Sequence, residues 1–404
     1  MLHDPFELPT FIIQTIQQAG FEAYFVGGAV RDMLLHREIG DVDIATSALP
    51  QQVIKLFPKT IEVGIRHGTV VVLHKGESFE VTTFRNEGDY EEHRRPKDVT
   101  FISSLSEDLQ RRDFTINAIA MTGSGALIDP FDGQADIQKQ MIRCVGDATE
   151  RFYEDGLRML RAIRFVSQLS FVLSDDTKAG ISRCNNILKH ISVERITAEF
   201  EKIMRGNNSH IAFQLLAELK IYKYLPHCAN KQIEFEQLAN YKWHSLQKNE
   251  EFWTLFTMLL KMETPGKFLR SWKLPVKLIR SVEINIRYFN MLLASEWTKT
   301  TLYQCGLEHA EQIERIRAVV HQNDGTERLH NIKKMYASLP IISRKELVVN
   351  GNDLQAWFNK KPGPWLKEYI NNIEMAIVNG DVENEVENIK EWLLHCNLKL
   401  ENNC

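Results

Sequence analysis

Phe25-Val-Gly-Gly-Ala-Val-Arg31-Asp32, followed nine residues later by Asp41-Val-Asp43, decides the reading of this 404-residue chain. The segment from Glu22 to Val26 reads as a strand, and Gly27-Gly28 turn it into a short helix whose free N–H groups favour anions. Without a Cβ at either glycine, the backbone can approach a phosphate closely. Arg31 adds a guanidinium in the first helical turn, suited to phosphate oxygens. In an extended segment residues i and i+2 share a face, so Asp41 and Asp43 project side by side while Val42 points into a core. Two carboxylates about 4 Å apart repel by roughly 4 kcal/mol at an effective dielectric of 20, and a divalent cation removes that cost while bridging nucleotide phosphates. Each piece alone fits a glycine turn or a solvated acidic strand end. The ordered combination points to a phosphate cradle beside a two-carboxylate metal site.

The rest of the chain frames that site. With 44% hydrophobic and 25% charged residues the composition is that of an ordinary soluble globular protein, long enough for two or more domains. No apolar run approaches the ~20 residues of a membrane span, and Asp4 and Glu7 stand where a signal peptide would need basic then apolar residues. The expected location is the cytoplasm, with no membrane partner. Six cysteines, at 144, 184, 228, 305, 396 and 404, lack the spacing of a zinc site and read as reduced and structural. A net charge of −4 excludes a generally basic coat, so any nucleic-acid contact must be local. From Lys261 to Arg287 seven basic residues face only Glu263 and Glu283, whereas residues 371–404 hold seven acids and two lysines.

Up to about residue 145 the pattern is mixed, with a helix opened by Pro9 and closed by Gly20, then strands alternating with short helices. His67 to His74, Lys75-Gly76 and Phe79 to Phe84 read as a hairpin that places Glu80 on a strand beside the aspartates. Residues 86–98 read as a charged, mobile loop. Beyond Thr149 strand signals nearly vanish, and amphipathic helices follow, broken at Pro226, Gly266, Pro275, Asn323-Asp-Gly325 and Pro362-Gly-Pro364. The expected fold is α+β: a mixed-sheet head over residues 1–146, then helical regions over 147–207, 208–325 and 326–404.

Two further constellations carry chemistry. Arg111-Arg-Asp-Phe-Thr-Ile-Asn117 gathers Arg112, Asp113 and Asn117 near a helical start, where charge and amide groups suit phosphate and ribose. In Glu154-Asp-Gly-Leu-Arg158-Met-Leu-Arg161-Ala-Ile-Arg164 the residues Asp155, Arg158, Arg161 and Arg164 recur every three positions and are expected on one helical face. An i,i+3 ion pair contributes only about 0.2–0.5 kcal/mol, too little to account for three arginines in register beside Leu157, Leu160 and Phe165. A carboxylate only accepts hydrogen bonds and a guanidinium only donates them. Asp155 can therefore accept from the exocyclic amine of cytosine or adenine while Arg158 donates to the adjacent ring nitrogen. Uracil and guanine present the reverse order, and each mismatched buried group costs about 1–3 kcal/mol.

With these motifs in order, the chain resembles the bacterial CCA-adding enzymes, tRNA nucleotidyltransferases in the second class of the polymerase-β superfamily. Asn350-Gly-Asn-Asp-Leu and Lys360-Lys-Pro-Gly-Pro-Trp365 extend the resemblance to the tail of the Gram-positive form. The resemblance implies a polymerase-β-like head followed by neck, body and tail. It implies Mg2+-dependent transfer of CMP, CMP and AMP from CTP and ATP to a tRNA 3′ end, with tRNA along the helical parts. It puts Asp41 and Asp43 at metal-binding positions; Glu80, from its own place on the neighbouring strand, is the candidate base or third carboxylate. Gly28, Arg31, Arg112, Asp155, Arg158, Arg161 and Arg164 fall on nucleotide-binding positions, and Asp113 on one linked to ribose. The only His-Asp doublet is His3-Asp4, so no phosphohydrolase activity is expected.

A CC-adding enzyme or a poly(A) polymerase would share the head motifs, though the full-length segment 86–96 argues against the former. That segment is expected to act as a lever that re-sets the base-reading face for the final A, with Arg94 and Arg95 involved. An inactive RNA-binding relative is disfavoured by intact Asp41, Asp43 and Glu80. Oligomeric state is left open, a homodimer included.

Overall fold

The computed structural model describes residues 5–88, 90–91, 95–96 and 99–401, arranged as two compact units. The first comprises Met1–His244 with Ser271–Lys273, and the second Ser245–Arg270 with Leu274–Cys404.

In the first unit the strands are β1 (Ala23–Val26), β2 (Asp43–Thr46), β3 (Thr60–Ile61), β4 (Thr69–His74), β5 (Glu77–Thr83), β6 (Arg85–Glu87), β7 (Tyr90–Glu91), β8 (Arg95–Pro96), β9 (Val99–Phe101), β10 (Ala120–Met121) and β11 (Leu127–Ile128). Among the described residues seven of them form a mixed sheet in the order β11-β10-β1-β2-β5-β4-β3. Alternation builds its β4 and β5 strands, with Val70, Val72, Phe79 and Val81 buried, while the central β1 and β2 bury consecutive residues, Phe25 with Val26 and Ile44 with Ala45. The hairpin between β4 and β5 turns on Lys75 and Gly76, both at positive φ, the tight geometry expected of a two-residue connection.

Register places the head's chemistry. β1 and β2 are antiparallel with Val26 opposite Asp43, while β2 and β5 are parallel with Ile44 beside Val81. The Gly27 turn, Asp43 and Glu80 therefore meet at one end of the sheet. The N-terminal helix α1 (Glu7–Gln18) begins before Pro9, which lies in its first turn, and Gly20 follows its end as expected. The charged segment after Phe84 departs from the expected open loop. β6 pairs with β9 and β7 with β8, so it runs as short antiparallel ladders, with Arg94 outside the described residues. Charge-rich composition hid backbone pairing there, because ladder hydrogen bonds make no demand on side-chain polarity.

Helices α2 (Gly28–Leu34), α3 (Pro50–Leu56), α4 (Leu105–Gln110) and α5 (Gly133–Gln138) complete the head. Beyond it α6 (Ala148–Glu154), α7 (Leu157–Leu169), α8 (Asp175–Cys184) and α9 (Val193–Met204) pack α7 against α9 and α6 against α8. One short strand persists in this helical stretch, Val172–Leu173, paired parallel with Met141–Ile142.

The second unit is helical among its described residues. Asn249–Leu259, Val276–Met291 and Leu307–Val320 pack on one another, and Leu354, Ile373, Ile377 and Ile389 core the last helices. Gly266 does not break a helix: it lies within Pro265–Ser271, where a Cβ would stand 2.2 Å from the Glu283 carboxylate. The Asn350-Gly-Asn-Asp stretch is a capping box, Asn350 accepting from the Asn352 N–H and Asp353 from the Asn350 N–H at 2.8 Å each. Cys144, Cys184, Cys228 and Cys305 are buried free thiols. Among the described residues no helix is long and apolar enough to cross a membrane.

Candidate active site

A cavity of about 830 Å3 opens in the first unit, and eight arginines against Asp43, Asp113 and Asp155 line it. Cations crowded to this degree cost electrostatic energy unless an anion answers them. Gly27 forms its floor at φ 74°, a conformation that favours glycine. A Cβ there would come within 3.2 Å of the Arg112 guanidinium and 3.7 Å of the Asp43 carboxylate. The glycine thus keeps anion-binding backbone, cation and carboxylate in one small space.

The carboxylates are spaced by the strand alternation, with one adjustment. β2 begins only at Asp43; Asp41 precedes it and is exposed, Val42 is 6% exposed, and Asp43 is half-buried. Burial first, then repulsion from Glu80 and from Asp41, pushes the Asp43 carboxyl up to about 6 against the pull of Arg112. Glu80 joins Asp43 as the parallel β2–β5 register requires. Among the described residues no three carboxylate, imidazole or thiol groups already converge as a metal cage. What the strands provide is a group of oxygen donors, the donor type that suits a hard divalent cation.

Arg112 is partly buried, its side chain 17% exposed, and its Nη2 reaches Asp108 at 3.3 Å. Its Nε is buried without a hydrogen-bond partner. Burial, with Arg111 adding repulsion, holds its pKa below the ordinary value in spite of Asp108. A cation so placed is set for an incoming anion. Asp108, 1% exposed, also takes Arg111 at 2.7 Å and the Arg85 N–H at 3.3 Å. Its role went unrecognised in the sequence, although Arg111 and Arg112 stand three and four residues beyond it.

A hydrogen-bonded chain joins the motifs. Arg31 Nη1 donates to Asn117 Oδ1 at 2.7 Å, Asn117 Nδ2 donates to Asp113 Oδ1 at 3.0 Å, and Arg161 Nε donates to Asp113 Oδ2 at 2.7 Å. Burial works to raise the Asp113 carboxyl, yet Arg161, Asn117 and Arg158 hold it down at about 2. The turn carrying Asp113 is pinned by Asp136, which accepts from Thr115 Oγ1 at 2.5 Å and from Arg143 Nε at 2.9 Å. Phe165 supplies an aromatic wall, with the Arg164, Arg31 and Arg161 guanidinium carbons 4.2, 5.1 and 5.8 Å from its ring centre. Its periodicity marked it only as core.

The expected helical row is corrected at its first member. Asp155 is not on α7: it sits in extended conformation between α6 and α7, and its Oδ1 accepts the Leu157 N–H at 3.0 Å. Gly156 permits this junction, since a Cβ there would lie 2.9 Å from Ile187. Asp155 pairs with Arg195 rather than with Arg158. Arg158, 8% exposed, pairs with Glu154 and donates to the Arg151 and Arg111 carbonyls at 3.0 and 3.1 Å. Arg158, Arg161 and Arg164 do share a face of α7, with Arg164 paired to buried Glu199 at 2.7 Å.

Together the sheet end, the arginine-lined cavity and the helices behind it define a nucleotidyltransferase of the polymerase-head type. Residues 23–143 match a family model described as the poly A polymerase head domain, 170–231 one described as the probable RNA and SrmB-binding site of polymerase A, and 244–393 one described as tRNA nucleotidyltransferase domain 2. The CCA-adding enzyme of Geobacillus sp. (strain WCH70) is 51% identical over 404 residues, covering all of both chains, and that of Geobacillus stearothermophilus is 49% identical over 401 residues, covering 99% of each. The crystal structure of the Bacillus stearothermophilus CCA-adding enzyme in complex with CTP superposes with a TM-score of 0.95 at 46% identity, over the whole of both chains. The chain belongs to the bacterial CCA-adding enzymes. It is a nucleotidyltransferase that acts on tRNA, and the poly(A) polymerase and CC-adding alternatives are not favoured.

Proposed function

We propose that the cavity of the first unit binds CTP and then ATP, and that its residues divide the work of CCA addition. Gly28, Arg31 and Arg112 receive the triphosphate, the glycine by open backbone and the arginines by charge. Asp113, fixed by Arg161 and Asn117, meets the ribose. Asp155 and Arg158 accept from and donate to the base edge, and Arg161 and Arg164 complete the cationic wall. Asp41 and Asp43 hold Mg2+, with Glu80 as third carboxylate or as base for the tRNA 3′-hydroxyl. Magnesium bound there would acidify that hydroxyl and neutralise the leaving pyrophosphate. The helical regions, taken as neck 147–207, body 208–325 and tail 326–404 behind a head of 1–146, carry the tRNA in the cytoplasm.

The observation that carries this reading is the meeting, at one sheet end, of a carboxylate pushed up by burial and then by its acidic neighbours and an arginine whose buried Nε has no hydrogen-bond partner. Incorporation of labelled CMP into tRNA lacking CCA, with and without Mg2+, tests it. Asp43→Ala is expected to lower incorporation by about three orders of magnitude or more while leaving tRNA affinity within a factor of about two. Retained turnover in magnesium contradicts the metal assignment.

A further inference from the structure

Asp155 is held by a side chain from another helix. Arg195, on α9, lays its two terminal nitrogens against the carboxylate, Nη1 to Oδ1 at 3.2 Å and Nη2 to Oδ2 at 2.6 Å. The Leu157 N–H takes a second place on Oδ1 at 3.0 Å. Each carboxylate oxygen offers about two acceptor sites, so Oδ1 is filled and Oδ2 keeps one open. The final torsion of an aspartate is broad and nearly two-fold, so the residue cannot fix its own oxygens. A fork that engages both oxygens fixes them, because a guanidinium is planar and its two N–H directions are rigidly related.

We infer that Arg195 is a positioning residue for base selection: by forking onto Asp155 it leaves one defined acceptor for the exocyclic amine of cytosine or adenine. The inference rests on the reading of Asp155 as the base acceptor given above. Arg195 and Asp155 both line the cavity, alongside Arg158. Arg158 has a separate counter-charge in Glu154, so each base-reading group is oriented by a partner of its own. The two residues are joined through the backbone, the Arg158 N–H donating to the Asp155 carbonyl at 3.0 Å, while the Asp155 carboxylate is braced by Arg195 and the Arg158 guanidinium by Glu154. Loss of the fork frees the carboxylate to turn, and a turned carboxylate no longer prefers an amine-bearing edge in one register.

The test measures single-turnover kcat/KM for CTP, ATP, UTP and GTP on tRNA lacking its terminal nucleotides, in Arg195→Ala, Arg195→Lys and Asp155→Ala. The expected result for Arg195→Ala is a fall in CTP and ATP use with UTP and GTP use held or raised, narrowing the CTP/UTP ratio about tenfold, the scale of one discriminating hydrogen bond. Arg195→Lys keeps charge and length without the fork, and should narrow the ratio part of the way. A purely structural Arg195 would lower all four nucleotides alike and leave the ratio unchanged. Should Arg195→Ala fail to fold by thermal melt, Arg195→Lys decides. If Asp155→Ala collapses discrimination while both folded Arg195 variants keep the wild-type ratio, the inference is overturned and the reading of Asp155 stands. If Asp155→Ala itself keeps the wild-type ratio, the reading of Asp155 fails and the inference with it. An Asp155→Ala/Arg195→Ala double variant no less selective than Asp155→Ala alone supports the coupling, whereas additive losses contradict it.

Discussion

The two units bury charge in different ways. In the second, each buried acid has its own cation: Glu251 takes Arg315 at 2.7 Å, Glu314 takes Arg317 at 2.8 Å and Arg328 at 2.9 Å, and Glu374 takes Arg344 together with the Tyr303 hydroxyl. Trp297 Nε1 adds a bond to Glu314 at 2.9 Å. In the first, most cavity arginines are also paired, but Arg111 and Arg112 share a single acid, Asp108, and Arg112 keeps an orphaned donor. Balanced burial holds helices together, whereas a surplus of one sign is unstable on its own and marks a place for a ligand of the other sign. Removing a balanced charge should cost folding, and removing a surplus one should cost substrate.

The largest effect that sharpens this contrast is on Glu314, which is fully buried. Glu314→Ala strands two guanidiniums and an indole N–H, and denaturant melts should report a loss of about 3–5 kcal/mol. Incorporation per folded molecule should be unchanged; a variant that is stable but inactive would break the comparison.

Arg112 is the opposite case. Arg112→Met leaves Asp108 with Arg111 and the Arg85 N–H, so stability should move by no more than about 1 kcal/mol. Without that guanidinium to meet the phosphates, nucleotide use should fall about 10- to 100-fold, read as kcat/KM for CTP. A variant as active as wild type but markedly less stable would put Arg112 with the balanced charges.

Asp113 is balanced within the site, which gives a pH signature. Its carboxyl is held at about 2 against an ordinary 3.8. A depressed carboxylate contributes stability in full above its unfolded value, and that contribution drains away as pH falls from about 4 towards 2. The contribution is on the order of 2 kcal/mol. Thermal melts of wild type and Asp113→Asn between pH 6 and 2.5 should converge over that window. A difference constant with pH contradicts the assignment.

The smallest effect concerns the basic run in the second unit. Lys277 and Arg280 are exposed on the helix Val276–Met291. Reversing both to Glu should flatten the salt dependence of tRNA binding, the logarithmic slope falling by roughly one for each phosphate that is no longer neutralised. An unchanged slope removes that helix face from the tRNA surface.

The head was legible because its signals are local. Two glycines at a strand end and two aspartates at i,i+2 each fit a plain turn or strand end, but few structures need both in that order, and the β4–β5 hairpin put Glu80 on a neighbouring strand before any register was known. The segment from Glu154 to Arg164 was legible only in part. Spacing alone joined Asp155 to the arginine row, but the extended Asp155 and the Gly156 junction end one helix and start another. Arg195 lies 40 residues from Asp155, and no periodicity connects them. Phe165 was read only as part of an apolar stripe because pattern does not separate a buried face from a cavity wall. The ladders after Phe84 were hidden for a related reason: charge speaks for exposure and says nothing of backbone pairing.

The central claim is that this cavity selects C, C and then A for a tRNA end, and sizing the products of one reaction set tests it directly. A tRNA ending before CCA is offered CTP, ATP, UTP or GTP, singly and in pairs. The expected products are two added nucleotides with CTP alone, three with CTP and ATP, and none with UTP or GTP. Two nucleotides only with CTP and ATP together, or a lengthening A tail with ATP alone, would contradict it.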